Sequence, residues 1–221
     1  DNIRDKSFIA RKQFSAETLD RLKAKGKELG ATINELLLAS YFYSVYELAG
    51  FPESDTVMIS NAIDLRRHME SVDNKGFTNH TSWMQCAIPE RGKDIFETVK
   101  YVVQSSNKFK KDKFMGLYGL PLLNFGYNFL PHGVSEEIIK IGYSNPLMAM
   151  SNIGILNGQH FSLCGKEPTD AFMSGAVKYK PFVLLTATTY KKVITLSMCV
   201  RGNDEDKKTV NRFFELMEKN I

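Results

Sequence analysis

The apolar positions change period several times along the chain, and each change marks an element. Residues 6–14 carry a mixed alternation that predicts a first strand. Ser15 follows as an N-cap, because its side-chain oxygen can accept from a free amide of the first helical turn. Leu19, Leu22 and Leu29 then fall near one helical face, and Gly30 can close that helix in a left-handed turn. Thr32 and Glu35 have the spacing of a capping box, in which each side chain reaches the other's free backbone N–H. The helix they open carries Ile33, Leu36, Leu37, Val45 and Leu48 and stops at Gly50. Its apolar residues nearly encircle it, which predicts deep burial.

Downstream, residues 57–63 and 79–88 read as strands, joined by a polar loop over 64–75. Residues 94–109 read as a helix with Ile95, Val99 and Val102 on one side. The stretch 114–135 then contains no Asp, Glu, Lys or Arg. Gly116, Gly119, Gly126, Asn124 and Asn128 interrupt its apolar run. It therefore predicts buried or channel-lining helix, broken at Pro121, in place of a membrane span. A short helix over 136–141 and a strand over 148–156 follow. Three strands over 171–200 are broken near Lys180-Pro181 and Lys191-Lys192. A last helix is capped near Asn203, carries Asp204, Glu205 and Asp206 at its positive end, and buries Val210, Phe213, Phe214 and Met217. No internal repeat or low-complexity segment is visible. The order predicts an α/β (α+β) chain: a mixed, mostly antiparallel sheet with helices packed mainly on one face. It is not the regular alternation of a doubly wound fold.

Composition narrows the function classes. With 221 residues, 43% hydrophobic and 24% charged, the chain can bury a sizeable core, and residues 1–221 are expected to form one domain. The net charge of +4 is mild and the lysines are spread, without a basic stripe interleaved with aromatics, so nucleic acid is not an expected partner. Cys86, Cys164 and Cys199 are odd in number and far apart, which suggests neither a zinc ribbon nor a disulfide framework and fits a reducing, cytoplasmic setting. Metal-ligand residues do not cluster, so no metal is expected. No G-x-G-x-x-G or Walker A segment supports a nucleotide site. The chain opens at Asp1 with polar residues and no apolar leader run, a start expected of a piece of a longer chain.

Three short segments carry candidate chemistry. Asp64-Leu65-Arg66 ends an apolar run and sets opposite charges two residues apart. An isolated D-x-R is commonly a turn in which Asp bonds its own backbone. Phe77-Thr78-Asn79-His80-Thr81-Ser82 enters the next strand, with Asn79, Thr81 and Trp83 on one face and His80, Ser82, Met84 and Cys86 on the other. Asn79 and Thr81 can donate to a carbonyl or a developing oxyanion, or can serve ordinary strand pairing. Ser82 and Cys86 lack the Gly-x-Ser-x-Gly elbow of an exposed nucleophile. Ser151-Asn152-Ile153-Gly154 combines two polar side chains with a glycine that permits close backbone approach, or else ends a strand before the turn at Asn157-Gly158. The histidines, His68, His80, His132 and His160, have no histidine neighbour, and His80 reads as a structural hydrogen-bonding group, not a base.

These segments resemble the C-terminal half of the chloramphenicol-acetyltransferase-like acyltransferases, a superfamily that includes peptide-synthetase condensation domains, wax-ester synthases and alcohol acetyltransferases. Ala62-Ile63-Asp64-Leu65-Arg66 is similar to the V-D-x-R-like segment that ends a strand beside the catalytic channel. Phe77 and Asn79 match the F-x-N-T segment of condensation domains, with the Thr displaced or replaced by His80. Ser151-Asn152-Ile153-Gly154 is similar to the S-N-x-G of the alcohol-acyltransferase and wax-synthase types. Tyr143-Ser144-Asn145-Pro146-Leu147 faintly resembles R-N-P-L, with the Arg absent, and Gly30 to Glu35 resembles the G-x-T-x-x-D/E helix junction. The Asp-Phe-Gly-Trp-Gly motif is missing, which argues against the plant-type branch and against chloramphenicol as substrate.

The superfamily's His-His-x-x-x-Asp-Gly motif, which belongs to the N-terminal half, is also missing. The resemblance therefore implies a C-terminal half without its catalytic base. It implies an acyl-CoA or acyl-carrier thioester as donor, no covalently bound cofactor, and a small-molecule hydroxyl or amine acceptor. The implied partner is the missing N-terminal half or another chain, including a further copy of this one. Asn79, Thr81, Ser151, Asn152 and Gly154 are the expected substrate-binding residues, Asp64 and Arg66 the positioning pair, and the isolated chain is expected to be inactive. A noncatalytic binding or scaffold module with the same fold is the alternative.

Overall fold

The computed structural model describes residues 5–69, 79–142, 146–158, 162 and 164–221. Among the described residues seven strands form one mixed sheet: β1 (Lys6–Phe14), β2 (Val57–Asp64), β3 (Thr81–Ile88), β4 (Met148–Ile155), β5 (Lys178–Tyr179), β6 (Val183–Tyr190) and β7 (Val193–Gly202). Their order is β1-β7-β6-β4-β2-β3, with the short β5 also on β7. The pairs β1–β7, β6–β7 and β2–β3 are antiparallel, and β2–β4, β4–β6 and β5–β7 are parallel. The β1–β7 and β2–β3 ladders are the longest, so most paired positions are antiparallel. Six helices accompany the sheet among the described residues: α1 (Ala16–Leu29), α2 (Ile33–Ala49), α3 (Ile95–Lys110), α4 (Leu120–Phe129), α5 (His132–Gly142) and α6 (Asp204–Lys219). The helices α1, α2, α3 and α6 cover one face of the sheet around a core that includes Phe42, Leu38, Ile59, Met150, Leu196 and Phe213.

The central element of that layer is α2. Sheet, α1, α3 and α6 surround it, and residues from Leu36 to Phe42 and Ser44 to Tyr46 are buried. Tyr41 meets the Phe213 ring edge-on at 5.1 Å, and the buried Ser40 hydroxyl donates to the Met217 carbonyl. Each fully buried apolar side chain of α2, such as Leu37, Leu38 and Phe42, contributes roughly 1.5–3 kcal/mol. A helix buried all round cannot leave its ends to water, and both are closed by the sequence. Thr32 and Glu35 form the capping box, and Gly50 adopts φ 65° at the other end. In α1 the Ser15 side chain accepts from the Thr18 N–H at the start, and Gly30 closes the end at φ 63°. Asn203 and Asp206 box the start of α6.

The second face is covered unevenly. Residues 168–175 run across β6, β7 and β1 as a strap. Met173 donates to Thr188 Oγ1 and accepts from the Ser197 hydroxyl, while Asp170 binds Arg11 and Gln13. Of the three strands expected over 171–200, only the last two are long, because residues 171–177 spend their polar groups on this strap and not on a ladder. Over β2, β3 and β4 the same face holds an open groove of about 640 Å³ bordered by Met58, Ser60, Trp83, Gln85 and Leu147.

Two further expectations are corrected. Of the two readings for residues 114–135, burial holds only at Met115: no residue of α4 is buried, Phe114, Tyr127 and Phe129 are exposed, and Leu120, Leu123 and Tyr127 border a cleft. Pro121 does not break a helix. It sits in the first turn of α4, where its missing N–H costs no hydrogen bond.

Glu35 is the one carboxylate among the described residues that is almost fully buried, at 2% exposure. Burial alone would raise its pKa, but the Lys110 ammonium at 2.7 Å and the Thr32 N–H and hydroxyl hold it below the usual carboxylate value of 4.5. A depressed folded-state pKa contributes stability that is complete above the unfolded value and is lost as pH falls through the folded one. Glu35→Gln should therefore cost about 1–3 kcal/mol at neutral pH. The gap between variant and parent should narrow steadily below the unperturbed pKa of 4.5, as read by urea denaturation across pH.

Candidate functional site

Strand direction brings the three motif segments together. Because β2 and β4 are parallel, their C-terminal ends lie at the same end of the sheet; because β3 is antiparallel to β2, its N-terminal end joins them. Asp64 is thus paired with Thr81, and Ser151 to Gly154 lie one strand beyond. At a strand spacing of about 4.8 Å, the ends of β3 and β4 stand about 10 Å apart. The carboxyl ends of adjacent parallel strands are a common place for a ligand crevice.

Asn79 precedes β3 and does not start it: its Oδ1 accepts from the Thr81 N–H at 2.9 Å, an Asx turn that aims the chain into the strand. Thr81 and Trp83 are exposed on one face, and Met84 and Cys86 point into the core. Asn79, Thr81 and Trp83 border a cleft of about 380 Å³, closed on its other side by Leu120, Leu123 and Tyr127. Phe77 and Thr78 lie outside the described residues, as do residues 70–75, Tyr143, Ser144, Asn145 and His160.

Asp64 and Arg66 form a local unit. Asp64 Oδ1 accepts from the Arg66 N–H at 2.9 Å and from its guanidinium at 3.2 Å, with both side chains about half exposed. An exposed pair of this kind contributes about 0–1 kcal/mol, so its visible effect is to start the 3-10 turn over Leu65–His68. Beside it, His68 Nε2–H donates to the Met115 carbonyl and the Ser82 hydroxyl donates to the Gly116 carbonyl.

The Ser-Asn-Ile-Gly segment is a bulge. The β4–β6 ladder breaks register between Asn152 and Ile155, Gly154 adopts φ 75°, and Asn152 Oδ1 accepts from the Gly154 N–H at 2.9 Å. The Asn152 amide also donates to Asn34 Oδ1 in the first turn of α2. Asn152 therefore faces the helix layer and fixes the bulge to α2, while Ser151 alternates to the open face.

Alternative chemistry is closed off nearby. Cys86 is fully buried, and burial pushes its thiol up to about 11, so it stays protonated near neutral pH. With Ser82 bonded to Gly116, the two do not form a nucleophile pair. No group of His, Cys, Asp or Glu among the described residues could hold a metal ion.

Sequence reasoning missed Gly116 and Asn34. Gly116 has φ 82°, and a Cβ there would stand 2.7 Å from the Ile63 side chain and 2.8 Å from that of Leu65. That close approach lets the segment before α4 lie on the end of β2. Its only sequence signal is one glycine among several. Asn34 is part of the helix junction, where Thr32 and Glu35 draw the attention.

The bulge yields a ranking. Asn152→Ala should destabilise the chain by about 1–2 kcal/mol through two lost hydrogen bonds. Gly154→Ala should cost a similar 1–2 kcal/mol from its positive φ, with no clash to add. Ser151→Ala should cost less than about 0.5 kcal/mol. Chemical denaturation of the three variants measures this order, and a costly Ser151→Ala beside a silent Asn152→Ala would contradict the assigned orientations.

No protein-family model and no curated protein matches the chain by sequence. Solved structures do match in shape. The trichothecene 15-O-acetyltransferase of Fusarium sporotrichioides superposes with a TM-score of 0.65 at 14% identity, over 96% of this chain and 46% of that one. The epimerization domain from the third module of tyrocidine synthetase B gives 0.61 at 12% identity, over 97% and 46%. The PapA2 acyl transferase gives 0.60 at 12%, over 98% and 44%. The chain thus has the fold of one part of the acyltransferases and condensation-type domains, and spans about half the length of these relatives.

Proposed function

We propose that this chain is the C-terminal half of an acyltransferase that moves an acyl group from a coenzyme A or carrier-protein thioester to a hydroxyl or amine. The observation that carries the reading is the convergence of Asn79, Thr81 and Ser151 to Gly154 at one end of the sheet, in a chain whose fold is that of acyl-transferring domains. The half-length match to those structures supports a missing half.

In this reading a histidine outside the chain takes the acceptor's proton. The acceptor oxygen or nitrogen attacks the thioester carbonyl, the carbonyl oxygen becomes an oxyanion, and the thiolate leaves with the proton that the histidine returns. The chain's own residues form the wall of the channel. In this reading the hydroxyls of Thr81 and Ser151 donate to an oxyanion or an acceptor group, supported by the Asn79 turn and the Asn152–Gly154 bulge beside them. Asp64 and Arg66 shape the turn beside them.

The test is turnover. The purified 221-residue chain with acetyl-CoA and simple alcohols should release no thiol above background, and the same chain joined to an upstream segment carrying His-His-x-x-x-Asp-Gly should release it. In the joined protein Ser151→Ala should lower kcat by about 100–1,000-fold if its hydroxyl meets the oxyanion. Turnover by the chain alone would contradict the proposal. An upstream coding segment without the histidine pair would favour the noncatalytic binding module instead.

A further inference from the structure

We propose that the α4–α5 hairpin docks this protein onto an anionic lipid surface. The hairpin hangs from the sheet end through Gly116 and His68, and carries large apolar side chains into water: Leu122 is 64% exposed, Phe129 73% and Tyr127 85%. At 3.6 residues per turn, Leu120, Leu123 and Tyr127 form one stripe of α4, and Leu122, Phe125 and Phe129 form another on the opposite side. The first stripe borders the 380 Å³ cleft. The second is fully apolar: Leu122 also reaches the cleft, Phe125 and Phe129 stand in water, and exposed Phe114 and Tyr118 precede α4 in the chain.

Three features select lipid as the occupant. First, α4 has ten residues, about 15 Å of helix, and no helix among the described residues is long and apolar enough to cross a membrane. An element of that length can lie within the interface, where an apolar face sinks about 5–10 Å. Second, the stretch from 114 to 135 has no formal charge, and the segment leading into it holds Lys108, Lys110, Lys111 and Lys113. Lys110 is held by Glu35, whereas Lys108, Lys111 and Lys113 are exposed and show no ion pair among the described residues. The intervening Asp112 is engaged by the Tyr118 hydroxyl and the Phe114 N–H. Aromatic and aliphatic side chains beside free lysines are the composition of an interfacial anchor on anionic lipid. Third, protein–protein interfaces are depleted in lysine, so the same border fits a protein partner less well. Docking would set the mouth of the cleft at the bilayer surface. It stands independently of the acyl-transfer reading, because it is measured without turnover.

The experiment is co-sedimentation of the purified chain with phosphatidylcholine vesicles, with and without phosphatidylglycerol. The chain should pellet with the anionic vesicles and be released by added salt. The triple variant Leu122→Asp, Phe125→Asp, Phe129→Asp should bind about tenfold more weakly or less, with its far-ultraviolet circular dichroism unchanged because all three residues are exposed. Lys111→Gln and Lys113→Gln should each weaken binding about fivefold. A chain that stays in the supernatant, or a triple variant that pellets like the parent, would overturn the proposal. So would self-association by light scattering that the triple variant abolishes while neither protein binds vesicles, since the hairpin would then be a contact between copies.

Discussion

The burial of α2 on all sides is the constraint on which the rest of the structure depends. A helix whose middle is surrounded by sheet and three other helices must have its free amides and carbonyls satisfied before it can be enclosed. Thr32 and Glu35 do this at its start, and Glu35 then needs a cation because it is buried too. That cation is Lys110, from the last turn of α3. The same first turn holds Asn152 through Asn34. One helix end thus ties together the end of β4 and the end of α3, from which the α4–α5 hairpin departs.

The candidate site inherits its geometry from this knot. The bulge in β4 re-aims the residues after Asn152, which anchors it from the helix side, while Ser151, before the bulge, lies on the open face by strand alternation. On the neighbouring strands the Asn79 turn and the Asp64–Arg66 turn end the β2–β3 ladder at the same level. The motif side chains therefore divide by task. Asn79, Asn152, Asp64 and Arg66 spend their hydrogen bonds on the shape of the turns and the bulge, and in the proposed function the hydroxyls of Thr81 and Ser151 are the ones that meet a ligand.

Much of the fold was legible because its signals are local. Ser15, Gly30, the Thr32–Glu35 box, Gly50 and Asn203 mark their helix ends through interactions made within a few residues. The strands β1, β2 and β4 and the buried stripe of α6 follow from period and propensity. What was not legible depends on contacts distant in sequence. Residues 171–177 carry strand-like residues, yet bond across Thr188 and Ser197 as a strap. The uncharged stretch from 114 to 135 has a composition that suits either a core or a channel wall, and only the three-dimensional arrangement shows α4 half in water and half against a cleft. In the Ser-Asn-Ile-Gly segment the alternation of β4 runs unbroken through Asn152, but the bulge between Asn152 and Ile155 and the bond from Asn152 to Asn34 could not be read, because they depend on β6 and α2, which are distant in sequence. Pro121 misled for another reason: the first turn of a helix and a break within one carry the same residue.

The central claim is that this chain supplies one wall of an acyl channel, at the ends of β2, β3 and β4. Amide hydrogen exchange measures it most directly, on the chain joined to the half that carries the histidine motif, with and without a nonhydrolysable acyl-thioester analogue. The account predicts ligand-dependent protection at Thr81 to Trp83 and at Ser151 to Ile155, with no change at the strap around Met173. Protection at the strap or on the α1 surface, with those two segments unaffected, would contradict it.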